Sequence, residues 1–180
     1  KTSLLLSLIG FIPFSEGRLD VFGRSRISPA DFASLRGPLG FMFQNPDEQL
    51  FCPTVIDDVR FGPLNQGKTV VQATEIAQKM LETLGIAKLC TVPCSVLSGG
   101  QKRLVALAGV LAMQPRLLLL DEPTASLDAV SAARVIDALP ACNLPMLFAT
   151  HDVACAAALA TRTIHLEDGR LAQVCHQVSA

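Results

Sequence analysis

The sequence predicts an α/β fold, a mostly parallel sheet with an α-helical segment inserted into it, and three observations carry that expectation. Leu117-Leu118-Leu119-Leu120 is an all-leucine run that stops at Asp121-Glu122, and a strand this apolar is buried on both faces, as in parallel sheets. Gly40-Phe41-Met42-Phe43 and Met146–Ala149 are further short apolar runs, each followed by polar or turn-forming residues. Residues 45–114, between the first of these runs and the leucines, read as helices and loops. The expected division is a core of residues 1–44 and 115–180 and a helical subdomain of residues 45–114.

Taken in order, Thr2 to Ile9 carries an apolar helical pattern that begins on small hydroxyl residues. Arg18-Leu19-Asp20-Val21-Phe22 alternates like a half-buried strand and is closed by Gly23. Ser28-Pro29 is a cap followed by proline at the first helical position, which predicts a short helix to about Leu35. Thr54 to Arg60 suits one or two helical turns, and Phe61 to Gly67 is expected as a loop because it contains Gly62-Pro63. Thr69 to Leu84 is amphipathic, with Val70, Ala73, Ile76, Ala77, Met80, Leu81 and Leu84 on one side, and Gly85 ends it. Ser98-Gly99-Gly100 is a turn opening onto a helix from Leu104 to Met113. Asp128–Leu139 and Asp152–Leu159 are predicted helices. Thr163–Leu166 and Leu171–Val174 form a hairpin around Glu167-Asp168-Gly169.

At 180 residues the chain is long enough for one domain with a substantial core. A net charge of −1 gives no general pull towards nucleic acid, so no nucleic-acid partner is expected. Half the residues are hydrophobic and only 17% are charged, which leaves apolar surface for the core and for a partner-facing side. No apolar run reaches the roughly 18 residues that cross a bilayer. Lys1 to Phe14 mimics a secretory leader, with one basic residue, an apolar run and then Ser15-Glu16-Gly17. That reading is set aside because everything downstream reads as a cytosolic fold. Cys90-x3-Cys94 and Cys175-His176 hint at a metal, but no second pair sits at zinc-site spacing. The six cysteines are expected to be reduced and structural.

Two stretches carry the chemistry. Ser98-Gly99-Gly100 bends through glycines into a helix start, where free N–H groups and a positive dipole end suit a phosphate. The leucine strand delivers Asp121 and Glu122 to its carboxyl end, where open α/β sheets bind ligands. One carboxylate suits a metal ion and the other a general base. Together they read as nucleotide hydrolysis.

In this context the chain resembles the nucleotide-binding ATPases of ABC transporters. Lys1-Thr2-Ser3 is similar to the end of a phosphate-binding P-loop, Gln44 to the glutamine loop and Leu97–Gln101 to the family signature. Leu117–Glu122 is similar to the second nucleotide motif, Ser126-Leu127-Asp128 to the loop after it, and Thr150-His151-Asp152 to the switch histidine. Motifs of this kind are weak singly and specific in this order. The resemblance implies a P-loop NTPase (RecA-like) core that uses ATP and Mg²⁺. It implies that Lys1 lies against the β- and γ-phosphates, that Thr2, Gln44 and Asp121 hold Mg²⁺, and that Ser3 belongs to the phosphate loop. Glu122 would polarise the attacking water and His151 would bond the γ-phosphate. Ser98, Gly99, Gly100 and Gln101, with Asp128, would close over ATP held by a second ATPase subunit in a head-to-tail homo- or heterodimer.

Gln44-Asn45-Pro46-Asp47-Glu48-Gln49-Leu50-Phe51, with Thr54-Val55, Asp57-Asp58-Val59 and Phe61 to Asn65, further resembles the energy-coupling-factor ATPases of cobalt, nickel, biotin and other vitamin uptake. That likeness implies docking of an integral membrane subunit on residues 45–64, and a peripheral position on the cytoplasmic face of the membrane. Two departures from the family pattern bear on activity. The glycine-rich start of the P-loop and an adenine-stacking aromatic residue are not in the sequence, so the 180-residue chain is expected to bind ATP weakly. No long carboxyl-terminal dimerisation extension follows Val174. The competing expectations are a soluble non-transport ABC ATPase and an inactive fragment of a transport ATPase. Gln44 to Ser98 spans too few positions for the coiled coils of chromosome and repair ATPases.

Overall fold

In the computed structural model, which describes residues 1–176, the chain opens with helix α1 (Thr2–Leu8). The stretch expected as one strand is a small hairpin instead. Strands β1 (Asp20–Val21) and β2 (Arg24–Ser25) pair antiparallel around Phe22 and Gly23. Both turn residues lie at positive φ, the geometry of a tight two-residue turn, which ends the strand earlier than its alternation suggests. Helix α2 (Pro29–Ala33) starts on a capping box in which Ser28 and Asp31 satisfy each other's backbone N–H.

Strand β3 (Leu39–Met42) leads through a 3₁₀ turn into helix α3 (Val55–Asn65), helix α4 (Val70–Thr83) and, after two further 3₁₀ turns, helix α5 (Gly99–Ala112). Two expectations are corrected here. Residues 61–65 are not a loop but the second half of α3, which runs through Pro63. Packing overrides the proline penalty: Pro63 is buried, and Gly62 lets α3 approach α5 so closely that a Cβ there would meet Met113 Cγ at 2.5 Å. The helix expected from Leu104 begins five residues earlier. Ser98 is its N-cap and both glycines are in its first turn. Helix α4 keeps its predicted bounds, with Thr69 and Gln72 forming a capping box and Gly85 at φ 68 ending it. Its buried face is Ala73, Ala77 and Leu81, whereas Val70 stands in solvent.

Strand β4 (Leu117–Asp121), helix α6 (Ala129–Ala141), strand β5 (Met146–Ala149), helix α7 (Val153–Leu159) and the antiparallel hairpin β6 (Arg162–Glu167)–β7 (Arg170–His176) complete the described chain. The central sheet is parallel in the order β3-β4-β5, with Met42 opposite Leu120 and Asp121 opposite Ala149. Its two faces divide the apolar residues between them. Leu118 and Leu120 join Met42, Val55, Val59, Leu81, Leu107 and Leu139 in the main core, which therefore runs without a break from the sheet into α3, α4 and α5. Leu119 packs on the other side with Leu35 and Leu39, near Leu8 and Phe32. Helices cover both faces, as an all-leucine parallel strand requires.

Cys94 and Cys155 are buried, and Cys52, Cys90 and Cys142 are half-buried, all as free thiols. Burial pushes the Cys94 thiol up to about 12, so it is inert as a nucleophile. The side chains of Cys175 and His176 lie outside the described residues. Among the described residues no helix is long and apolar enough to cross a membrane.

Candidate functional site

Parallel strands in register end together, and this alone assembles the first cluster. Met42 is level with Leu120 and Asp121 with Ala149, so Gln44, Glu122 and His151 all emerge from one edge of the sheet. Helix α1 brings Lys1 to the same edge. The Glu122 carboxylate is its centre: Oε1 accepts from Lys1 Nζ at 2.9 Å, and Oε2 accepts from His151 Nδ1 at 2.9 Å and from the His151 backbone N–H at 3.2 Å. The Glu122 side chain is 9% exposed and that of His151 74%, so His151 is not a core histidine but an open side chain resting on a buried carboxylate.

Burial pushes the Glu122 carboxyl up, but the bonds from His151 and Lys1 outweigh it and hold it down at about 2. It is therefore ionised at any working pH. Glu122 also sits at φ 49, a left-handed conformation that a non-glycine residue keeps only where its surroundings enforce it. Its N–H donates to Ala149 O at 2.8 Å, and the Thr124 hydroxyl donates to Asp152 at 3.0 Å. These two bonds tie the turn after β4 to the loop that carries His151.

Asp121, one residue before, is buried, and its Oδ1 has no hydrogen-bond partner. An orphaned carboxylate oxygen at a strand end is a fitting ligand for a hard divalent cation. No group of three or more His, Cys, Asp or Glu side chains sits at metal-binding distance among the described residues. Mg²⁺ is commonly held by one or two protein oxygens together with substrate phosphates. Thr2, Ser3 and Gln44 are exposed.

The second cluster is separate. The Ser98 hydroxyl accepts from the Gln101 N–H at 3.3 Å, and Gln101 Oε1 accepts from the Ser98 N–H at 2.9 Å. Asp128 caps α6, accepting from the Val130 and Ser131 N–H groups and from the Ser131 hydroxyl, which together hold its carboxyl below the ordinary range. The two caps touch: a Cβ on Gly100 would meet Ser131 Oγ at 2.4 Å, so only glycine permits this approach. No hydrogen bond among the described residues joins the Ser98–Gln101 turn to Lys1, Glu122 or His151.

Residues 45–64 are less acidic in effect than in sequence. Asp47 pairs with Lys102 at 2.6 Å and Asp57 with Arg60 at 2.6 Å. Asp58 turns inward to accept from the Cys52 N–H and the Cys94 thiol. Asp47 and Glu48 stay exposed, and beside the segment lies a groove of about 540 Å³, lined in part by Phe41, Phe43, Phe51 and Phe61. The Phe51 and Phe61 rings meet edge to face at 4.8 Å.

Sequence reasoning missed Arg103 and Gln49, which lash the glutamine-loop strand to α5. The only signal was a basic residue at the head of an otherwise apolar helix run, Leu104 to Val110.

Comparison with known proteins identifies the family. The ABC transporter family model matches residues 1–125. An ABC transporter ATP-binding protein of Haemophilus influenzae is 48% identical over 166 residues, 92% of this chain and 76% of that one. The cobalt import ATP-binding protein CbiO of Rhodobacter capsulatus is 42% identical over 175 residues, 95% of this chain and 62% of that protein. The structure of cbiO1 from Clostridium perfringens, part of the ABC transporter complex cbiONQ, superposes with a TM-score of 0.87 at 31% identity, covering 97% of this chain and 72% of that one. A parallel sheet ending in Glu122, helices on both its faces, and this family match over most of the length lead to one conclusion: the chain belongs to the ATP-binding, ATP-hydrolysing proteins of ABC transporters.

Proposed function

We propose that the protein is the ATPase of an energy-coupling-factor type importer, hydrolysing ATP at the sheet edge and driving a membrane subunit through residues 45–64. The observation that carries the reading is Glu122, a buried, ionised carboxylate flanked by a lysine and a histidine beside the orphaned oxygen of Asp121.

In this reading the γ-phosphate of ATP competes with Glu122 for Lys1, which leaves one Glu122 oxygen free to take a proton from the attacking water. His151 keeps the carboxylate oriented through Nδ1–H and, as the imidazolium, donates its Nε2–H to the phosphate. Thr2, Gln44 and Asp121 are the oxygen ligands for Mg²⁺, with Ser3 beside them. When bound, the ion neutralises charge on the β- and γ-phosphates. Ser98, Gly99, Gly100 and Gln101 serve the nucleotide of a second subunit, identical or related, with Asp128 at the same interface, so hydrolysis requires a head-to-tail dimer. The helical subdomain of residues 45–114 is then the part that faces the transporter, and its aromatic groove receives an apolar segment of the membrane subunit. The protein lies peripherally at the cytoplasmic face. The likeness to cobalt import proteins favours a transition-metal cargo, cobalt or nickel, over biotin or another vitamin.

The test is uptake by cells lacking the gene, complemented with the full-length protein. Restoration of ATP-dependent ⁵⁷Co²⁺ or ⁶³Ni²⁺ uptake supports the reading. Restored biotin uptake with no metal uptake moves the cargo to the vitamin class, and Mg²⁺-dependent hydrolysis without any uptake refutes the transport role.

A further inference from the structure

Helix α5 buries a full positive charge that no carboxylate approaches within ion-pair distance among the described residues. Arg103 is 3% exposed. One terminal nitrogen donates to Phe43 O at 3.2 Å, the other to Ala125 O at 3.1 Å, and Nε has no partner. Burial lowers its pKa from the usual guanidinium value, with Asp121 partly offsetting that. Desolvating a guanidinium without a carboxylate partner is costly. What offsets that cost here is two backbone carbonyls, and a hydrocarbon side chain would leave both without this donor.

The two carbonyls it holds suggest a reason for the arginine. Phe43 immediately precedes Gln44. Ala125 lies inside the turn from Glu122 to Ser126, whose end residues sit at φ 49 and φ 60, both strained for non-glycine residues. The grip on Phe43 is doubled: its N–H donates to Gln49 Oε1 at 3.3 Å, and Gln49 Nε2 donates to Ala106 O, one turn along α5 from Arg103. A planar guanidinium can span two carbonyls in fixed directions, whereas an ammonium is a single point.

We propose that Arg103 is a positioning residue for hydrolysis, fixing the Gln44 loop and the Glu122–Ser126 turn to the helix that begins at Ser98. Movement of either strand end is thereby transmitted to the signature turn, and movement of that turn to the water-polarising carboxylate. The proposal rests on the reading that Glu122 and Gln44 serve ATP hydrolysis.

The experiment compares the full-length protein with Arg103→Lys and Arg103→Met in Mg²⁺-ATP affinity, single-turnover hydrolysis and thermal melting, with Glu122→Gln as the reference. A positioning role predicts affinity within about threefold of the parent and a kcat roughly 30- to 100-fold lower in both variants, with cooperative melting retained. The split between KM and kcat separates this from a folding role, which would move affinity, rate and melting together. A parent-like kcat in either variant overturns the proposal, and so does a loss of kcat that follows the unfolded fraction. If Arg103→Met does not fold, Arg103→Lys decides alone, since it keeps charge and most of the bulk. A parent whose rate is unchanged by Glu122→Gln overturns the underlying functional reading and is distinguishable by that control.

Discussion

The Glu122 cluster and the Ser98 turn are both proposed to face phosphate, yet they are held together by opposite means. Glu122 is held by residues 121 and 29 positions away, Lys1 and His151. Ser98 is satisfied by Gln101, three positions away, and Asp128 by Val130 and Ser131. The first arrangement exists only when α1, β4 and β5 are assembled, while the second forms with its own helix. The contrast fits their proposed tasks. A water-polarising carboxylate needs a fixed, desolvated setting, whereas a turn presented to another subunit needs only a well-formed helix end.

The largest expected effect separates the two regions. Glu122→Gln keeps the shape of the first cluster and removes the base, so hydrolysis by the full-length protein should fall by at least about 100-fold. The ATP-induced dimer should persist in size-exclusion chromatography with light scattering, and a variant that turns over normally would place the base elsewhere.

Mixing variants sharpens the comparison. Gly100→Val forces a side chain onto Ser131, where even a Cβ lies 2.4 Å from Oγ, and should inactivate the turn while leaving the Glu122 cluster intact. If each site takes Glu122 from one subunit and the turn from the other, mixing inactive Gly100→Val with inactive Glu122→Gln should restore about a quarter of the parent activity, from heterodimers with one intact site. No recovery in the mixture would mean that both regions serve the same nucleotide.

His151→Ala should reduce kcat by about tenfold to a hundredfold, because the carboxylate loses its orienting partner. It should also release the Glu122 carboxyl upward from about 2 towards the ordinary 4.5. A lowered carboxyl pKa contributes stability above its unfolded value that disappears as pH falls through the folded one. The stability difference between parent and Glu122→Gln should accordingly shrink between pH 4.5 and about 2 in urea titrations at stepped pH. The smallest effect belongs to Ser98→Ala, which should lower stability by about 1 kcal/mol through the lost cap, visible as a shifted melting transition.

Much of the fold and of the Ser98 turn was legible in the sequence because it is carried by composition and local order. The leucine run and its terminal carboxylates specify a buried parallel strand with a reactive end. The capping boxes at Ser28, Thr69 and Ser98 are written within three residues. Pro63 was misleading for a physical reason: a proline is a helix breaker only until a close contact, here Gly62 against Met113, holds the helix through it. The pairing of the acidic residues of 45–64 was not legible for a similar reason. Lys102 and Cys94, which pair with Asp47 and Asp58, are distant in sequence, whereas Arg60 beside Asp57 is local.

The sequence by itself determined which residues stand at strand ends and helix starts, since apolar periodicity and capping are local properties. Only the tertiary structure decided that Lys1 and His151 close on Glu122, that Asp121 keeps an unpartnered oxygen, and that the Ser98 turn stands apart from them. The same is true of Arg103, whose role depends on two backbone carbonyls from distant segments. Charge placement across a fold depends on strand register and helix packing, and no short stretch of sequence encodes either.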